Sequence, residues 1–234
     1  MSLPEGPFYR LVPASFVSRP NRFLILARVD GRIVRVASRD PGRLRELLTP
    51  AAELRLAPSD DPRRKTRYTA VLVRRGRRWV SLVPAHANAV LASALASDAL
   101  PGLVGARILR REVAHGRSRF DFLLRVRGRE VLTEVKSASL VVGRRALFPD
   151  APTSRGTRHV RSLTAHVRAG GQALVVFVVQ HAAAHSLSPH AGHDPDFDRA
   201  LREAAATGVR LLAYACRVGP RGVSILRRIP VVFR

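Results

Sequence analysis

Cysteine is almost absent from this chain of 234 residues, and so is lysine. The single cysteine, Cys216, excludes an internal disulfide and a zinc site built from several cysteines. We therefore predict a reduced, cytoplasmic setting. Long apolar runs are also missing, because the longest uninterrupted one spans only Ala173 to Val179. A helix that crosses a membrane needs about 20 apolar residues, so we expect no membrane association.

Acidic residues are scarce as well. The chain has 17 of them against 41 basic residues, which gives a formal net charge of +24. Residues 1–84 and residues 85–234 both have an excess of basic over acidic residues. A basic tail therefore does not explain the charge, and a folded surface must be basic. Such a surface attracts polyanions, and we predict that the partner is DNA; charge alone leaves RNA open. The alternative is drift in base composition, since all but two of the basic residues are arginine.

Short strands separated by turns fill residues 1–84. Asp30-Gly31 lies between two apolar runs, which is a strong hairpin signal, and a second hairpin is predicted around Gly76. Several short strands in about 80 residues favour a small oligonucleotide-binding (OB) type β-barrel. The alternative interpretation is a set of strands with arginines on solvated faces. A short helix is predicted within residues 41–48.

The pattern changes in residues 85–234, where helices alternate with strands. We predict helices over Ala85–Leu95 and Thr157–Arg168, and a third from the N-cap Asp194 to Gly208. The predicted strands are Ile108–Val113, Ser118–Val126, Arg129–Val142, Ala173–Val179, Val209–Val218 and Ile225–Phe233. This order predicts a layered α/β domain, so the fold class is α/β (α+β overall) with two domains.

One predicted hairpin carries the residues that suggest chemistry. If Arg127 and Gly128 form its turn, then Asp121 lies opposite Glu134, with the two side chains on one face. Lys136 lies two residues after Glu134 and shares its strand face. Two neighbouring carboxylates repel each other unless a cation lies between them, and their oxygens suit Mg²⁺. A nearby lysine can position or activate water, which together predicts metal-assisted phosphodiester cleavage. The alternative is a solvated strand face with an ordinary ion pair.

The chain resembles the bacterial and archaeal sugar fermentation stimulation proteins over nearly its whole length. The resemblance rests on three segments of the second domain, with shorter agreement at Phe177-Val178-Val179-Gln180, at Leu212-Ala213-Tyr214 and at residues 64–68. The three segments are Gly116-Arg117-Ser118-Arg119-Phe120-Asp121-Phe122-Leu123-Leu124, Glu134-Val135-Lys136-Ser137 and Phe148-Pro149-Asp150-Ala151-Pro152-Thr153-Ser154-Arg155-Gly156-Thr157-Arg158-His159.

This resemblance implies an OB-type barrel followed by a restriction-endonuclease-like domain, in a DNA-binding protein linked to the regulation of sugar genes. The PD-(D/E)xK residues of that domain map to Asp121, Glu134 and Lys136. Glu112 would be an additional carboxylate, unless it pairs with a nearby arginine. We therefore expect a DNA-binding protein with an Mg²⁺- or Mn²⁺-dependent phosphodiesterase site, or a regulator that keeps the nuclease fold without cleaving. The sequence leaves the oligomeric state open.

Further basic residues are predicted to bind DNA phosphates. Arg155, Arg158 and His159 lie at the start of a predicted helix, whose N-terminal amides favour anions. The alternative for them is a local salt bridge and helix cap with Asp150. The remaining candidates are Arg119, Arg64, Lys65 and Arg67. Phe23, Tyr68 and Trp79 are predicted either to stack on bases or to pack in the core. His181, His185, His190 and His193 match no zinc motif and are expected in an exposed loop.

Overall fold

A computed structural model describes residues 10–40, 42, 44–98 and 100–233. The first sheet contains six strands in the order β3-β2-β1-β4-β5-β6. Their bounds are β1 Val12–Asn21, β2 Leu24–Val29, β3 Arg32–Ala37, β4 Glu53–Pro58, β5 Tyr68–Arg75 and β6 Arg78–Ser81. The sheet closes on itself, because β3 also pairs in parallel with β5 at Val36 and Tyr68. The result is the predicted OB-like barrel of five strands, with β6 added at its side.

The barrel closes around one apolar core. Ile25, Val36, Leu54 and Leu56 project inward and are fully buried. The predicted β2–β3 hairpin is confirmed, with Asp30 and Gly31 at its tip. Both residues have positive φ angles, 44° and 79°, which Asp and Gly tolerate better than other residues. The predicted short helix is not formed over the described residues 44–48, which make turns instead; Pro41 and Arg43 lie outside the described residues.

The second sheet has the strand order β15-β14-β12-β9-β8-β7. Its strands are β7 Arg107–His115, β8 Ser118–Val126, β9 Arg129–Ala138, β12 Ala173–Val179, β14 Arg210–Gly219 and β15 Gly222–Ile229. Strand β12 runs parallel to both β9 and β14, whereas the other pairs are antiparallel. A small third sheet contains β10 Val141–Val142, β11 Arg145–Phe148 and β13 Ser186–Pro189. The predicted strand Arg129–Val142 is therefore two strands.

Helices cover both faces of the second sheet. On one face α1 (His86–Ala96) packs through Leu91 and Leu95 on residues such as Val135 and Val176. On the other face α2 (Ser154–Arg168) and α3 (Pro195–Thr207) pack on Val175 and Phe177. Successive residues of β12 alternate between the two cores, as expected for a strand that is buried on both faces. The element order α1-β7-β8-β9-α2-β12 gives the restriction-endonuclease-like domain. Among the described residues, no helix combines the length and apolarity needed to cross a membrane.

The two sheets meet in a small apolar contact. Val71 and Trp79 of the barrel share a cluster with Val218 and Val223, which lie on β14 and β15. This contact fixes the β5–β6 hairpin of the barrel against the second domain.

Candidate functional site

Strands β8 and β9 separate at the predicted site. Val126 pairs with Arg129, which confirms the turn at Arg127-Gly128, and the register continues as far as Phe122 opposite Thr133. Beyond that pair the Val135 backbone N–H donates a 2.7 Å hydrogen bond to Asp121 Oδ2. The Asp121 carboxylate therefore takes a position that a backbone carbonyl would occupy in a continuous ladder. The structure places Asp121 at the fork between the strands, one position beyond the last hydrogen-bonded pair.

On the β7 side, the residue opposite Asp121 has an unusual backbone conformation. Arg111 pairs with Phe122 and Val113 with Phe120, and the residue between them, Glu112, has a φ angle of 52°. This left-handed backbone lies inside β7, opposite Asp121, and the strand continues on both sides of it. Glu112 itself is exposed. Its role as an additional metal ligand stays a prediction.

Glu134 is the most enclosed carboxylate of this region. Its side chain is only 6% exposed. Lys136 Nζ donates to Oε1 at 2.6 Å, and His159 Nδ1 lies 2.8 Å from the same oxygen. Because a carboxylate only accepts, Nδ1 is the donor of this second bond. The other oxygen, Oε2, is buried and has no hydrogen-bond partner in the structure. Burying a carboxylate oxygen without a hydrogen-bond donor costs free energy. Such an atom is therefore a candidate ligand for a cation.

Asp121 is held by a different set of donors. Asn88 of α1 donates from Nδ2 to Asp121 Oδ1 at 2.7 Å, in addition to the bond from Val135. Burial raises the pKa of Asp121, and the negative charge of Glu134 raises it further. Both effects disfavour the charged carboxylate, and a bound cation would reverse them. The N–H group that bonds to Asp121 belongs to Val135, the residue after Glu134, so the two carboxylates lie at the same point of the fork.

The two carboxylates reach this place from opposite layers of the domain. Glu134 faces α2, where His159 holds it, whereas Asp121 is held from the α1 side by Asn88. The sequence predicts both carboxylates on one face of an unbroken hairpin. The observed arrangement differs because the ladder opens at Asp121, so its carboxylate turns into the gap between the strands.

The donor chemistry of this site fits a hard divalent cation. Two oxygen ligands are available, one of them an orphaned buried oxygen, and such ligands suit Mg²⁺ and Mn²⁺. The described part of the chain contains no group of three or more His, Cys, Asp or Glu residues that could hold a metal ion. The remaining ligands of a cation at the fork would therefore have to come from water, backbone or substrate.

The predicted phosphate-binding residues fall in different places. Arg155 and Arg158 are exposed on the first turns of α2, and Arg119 is exposed on β8. His159 does not join them, because it is only 3% exposed and faces Glu134. Its predicted phosphate contact is replaced by a contact with the carboxylate. His159 is rotated by about 100° from Arg158 on the helix, which places it on the buried face with Val160 and Leu163.

The first-domain candidates lie on the loop before β5. Lys65 and Arg67 are exposed, and Arg64 donates to Thr69 Oγ1 at 2.8 Å. Arg64 and Arg67 also line an open depression of about 480 Å³, together with Asp60 and Asp61. The acidic residues lower the positive potential of this depression. DNA contact by these three basic residues stays a prediction.

The aromatic and histidine candidates also divide. Phe23 is 60% exposed with the Arg22 guanidinium 4.9 Å from its ring centroid, whereas Tyr68 packs against the barrel core. Trp79 packs at the domain junction, between Arg55 and Arg74. The four histidines do not form one exposed loop, since His181 is 7% exposed and strand β13 lies between His185 and His190.

Asn88 is the site residue that sequence reasoning missed. It contacts Asp121 across 33 positions of the chain, and nothing in its local sequence marks it. For His159 a signal was available, because it lies four residues before Leu163 and next to Val160, on the apolar face of α2.

The fold and the site define a two-domain protein in which an OB-like barrel precedes a restriction-endonuclease-like domain with paired carboxylates at its strand fork. Two family models match this chain. The SfsA N-terminal OB domain matches residues 17–82, and the sugar fermentation stimulation protein RE domain matches residues 85–222. The chain belongs to the sugar fermentation stimulation protein family.

Relatives with the same description cover most of the chain. A sugar fermentation stimulation protein homolog of Moorella thermoacetica is 45% identical over 223 residues, which span 94% of this chain and 96% of the relative. A homolog of Methanothermobacter thermautotrophicus is 41% identical over 200 residues, with 86% and 83% covered. The solved structure of Pyrococcus furiosus SfsA in complex with Ca²⁺ is similar with a TM-score of 0.90 and 30% identity, covering 99% of both chains.

Proposed function

We propose that this protein binds DNA and hydrolyses phosphodiester bonds with Mg²⁺ or Mn²⁺ at the fork between β8 and β9. The observation that carries the proposal is Glu134, whose Oε1 is held by Lys136 and His159 while its buried Oε2 has no partner. Such a carboxylate is preorganised to offer one oxygen to a cation. The Ca²⁺ complex of the Pyrococcus furiosus relative supports a divalent cation as the ligand.

Each residue of the site has a separate role in this proposal. Asp121 and Glu134 hold the cation, which supplies Lewis-acid activation of the phosphate and of a bound water. Lys136 lies at Glu134 with its side chain 11% exposed, so its ammonium group is held where water and phosphate would enter. It positions the attacking water or stabilises the charge that develops on the phosphate. Asn88 and His159 orient the two carboxylates.

The DNA-binding part of the proposal rests on charge and on the OB-like barrel. The net charge of +24 is spread over both domains, and OB folds commonly bind single strands with basic grooves and aromatic side chains. The exposed pair of Arg22 and Phe23 offers such a combination on the barrel. Arg119, Arg155 and Arg158 would hold phosphates near the fork. A reduced, cytoplasmic setting is part of the same proposal.

One observation favours a second function. No third protein ligand of the types His, Cys, Asp or Glu accompanies the two carboxylates among the described residues. A site with so few charged ligands is what a DNA-binding regulator would keep if it had the nuclease fold without the activity. The two functions differ in whether any phosphodiester bond is broken.

Cleavage of supercoiled plasmid separates them. The wild-type protein and Lys136→Ala are incubated with plasmid and Mn²⁺ or Mg²⁺, and binding of the same DNA is measured in Ca²⁺ by fluorescence anisotropy. We expect nicking by the wild type, loss of nicking in Lys136→Ala and binding within about twofold of the wild type. Arg129→Ala is the matched control, because it removes an exposed positive charge of the same strand at the turn end of the hairpin, away from the fork, and should keep nicking.

The possible results assign the function directly. Binding without nicking across both metals identifies the regulator and overturns the enzymatic proposal. Nicking that survives in Lys136→Ala overturns the site. Competition between DNA and RNA of matched length is run at one salt concentration, because electrostatic affinity falls steeply with ionic strength. Stronger competition by RNA would contradict DNA as the partner.

A further inference from the structure

The basic hairpin between β5 and β6 has no part in the site described above. Arg75 and Arg78 are directly paired across its ladder, and both are exposed. Like charges in directly opposite positions of a sheet destabilise it. The neighbouring Arg74 has a carboxylate, since its Nη1 lies 2.8 Å from Glu53 Oε2. Within the described residues, neither Arg75 nor Arg78 has a carboxylate partner, although the Arg75 guanidinium donates to the Glu46 backbone carbonyl.

His181 of the second domain lies at the end of the sheet on which this hairpin packs, because it follows β12, whose Val179 pairs with Ala215 of β14, and Val218 of β14 packs against Trp79. Its side chain follows the end of β12, and its Nδ1 accepts a 3.0 Å hydrogen bond from the Ala183 backbone N–H. Burial, together with the smaller effect of the charges of Arg78 and Arg75, lowers the pKa of His181 to about 4. The ring is therefore neutral near pH 7. Because Nδ1 accepts, its hydrogen is on Nε2, so His181 adds a neutral donor next to two guanidinium groups.

The hairpin packs at the carboxyl end of the parallel strands of the second sheet, which is also the end of β9 where Lys136 lies. Strands β9 and β12 are parallel, with Lys136 opposite Phe177, and the Gln180 N–H donates to the Ala138 carbonyl at 2.8 Å. His181 follows Phe177 by four residues, which span at most about 13 Å, and a turn in which the His181 N–H donates to the Val179 carbonyl shortens that span. Packing of Trp79 against Val218 and Val223 holds the hairpin there. A strand of DNA that reaches the fork can therefore also reach Arg75 and Arg78.

We propose that Arg75, Arg78 and His181 form a phosphate-binding site that takes a backbone phosphate of the DNA strand next to the fork. The inference rests on the proposed function and adds a subsite built from both domains. An anion there relieves the repulsion between the two arginines, and guanidinium groups bind phosphate oxygens through paired N–H donors. The site reads no base, because every contact is made to the backbone.

The test compares Arg78→Gln with Arg77→Gln. Arg77 lies in the turn of the same hairpin and is exposed, so its substitution removes the same charge without touching the Arg75–Arg78 pair. Affinity for one DNA duplex is measured by anisotropy over a series of salt concentrations in Ca²⁺. We expect Arg78→Gln to weaken binding several-fold and to reduce the slope of log K against log salt by about 0.9, the value for one phosphate contact. Arg77→Gln should change the slope by less than half of that.

A second measurement locates the phosphate. The ring signals of His181, identified by their loss in His181→Phe, should shift in the NMR spectrum when DNA is added to wild type but not to Arg75→Gln/Arg78→Gln. Equal effects of Arg78→Gln and Arg77→Gln, or a His181 ring that does not respond, overturn the subsite while DNA binding and nicking persist. A wild type that binds no DNA overturns both the subsite and the proposed function.

Discussion

Replacement of His159 by phenylalanine tests the carboxylate arrangement without any metal. The substitution removes one of the two donors to Glu134 Oε1 and fills the space with a ring of similar size, beside Phe120 whose ring centroid is 5.4 Å away. A hydrogen bond to a charged group contributes about 1.5–3 kcal/mol. We therefore expect a loss of about 2 kcal/mol in the free energy of unfolding. For a chain of this size that corresponds to a fall in Tm of about 4–8 °C.

The measurement is thermal and urea unfolding followed by circular dichroism in EDTA. His159→Asn is the matched variant, because its amide nitrogen lies near the position of Nδ1 and can still donate to Oε1. We expect it to recover at least half of the lost Tm. A phenylalanine variant as stable as the wild type would refute the reasoning, and so would an asparagine variant no better than phenylalanine.

Two further predictions follow from buried groups outside the fork. Burial raises the pKa of Asp40 to about 6 from its ordinary value of 3.8, so the folded state binds this proton more tightly and stability falls as pH rises between about 4 and 6. Asp40→Asn should remove that pH dependence. Its free energy of unfolding at pH 7, measured with urea, should rise by on the order of 1–2 kcal/mol after allowance for partial exposure. An unchanged pH dependence would contradict this prediction. Burial raises the pKa of Cys216 to about 12, and its side chain is 0% exposed. An aromatic disulfide reagent should therefore leave the folded protein unmodified for hours and react once urea unfolds it, whereas fast reaction of the folded chain would disprove the burial.

Local turn chemistry made much of the fold predictable. Asp30-Gly31 and Arg127-Gly128 locate two hairpins, because few residue pairs tolerate two successive positive φ angles. The second hairpin fixes the register, and the register brings Asp121 and Glu134 to the same end of the two strands. The helix that begins at Asp194 was equally clear, since this residue accepts from the Phe197 N–H as an N-cap should.

The contacts that complete the site could not be predicted in the same way. Asn88 and His159 reach the carboxylates from helices on opposite faces, and their approach depends on how each helix packs rather than on local sequence. The break in the ladder was equally hidden. An alternating pattern predicts a continuous strand, but Glu112 adopts a left-handed backbone and Val135 bonds to a side chain. Sequence periodicity contains no signal for a backbone N–H that donates to a side chain instead of to the carbonyl of the neighbouring strand.

Whether carboxylates anchored in opposite layers act on one cation can be decided by a double-mutant cycle. In EDTA their repulsion destabilises the wild type, and either Asp121→Asn or Glu134→Gln relieves it. Glu134→Gln also breaks the ion pair with Lys136, so the quantity compared is the coupling term. The double variant should be less stable than the sum of the two single effects predicts, by about 1 kcal/mol. With saturating Mn²⁺ the sign should reverse, because each single substitution already loses a cation that needs both groups. Additive effects in both conditions would mean that Asp121 and Glu134 do not share a site, and the hydrolytic function could not rest on them.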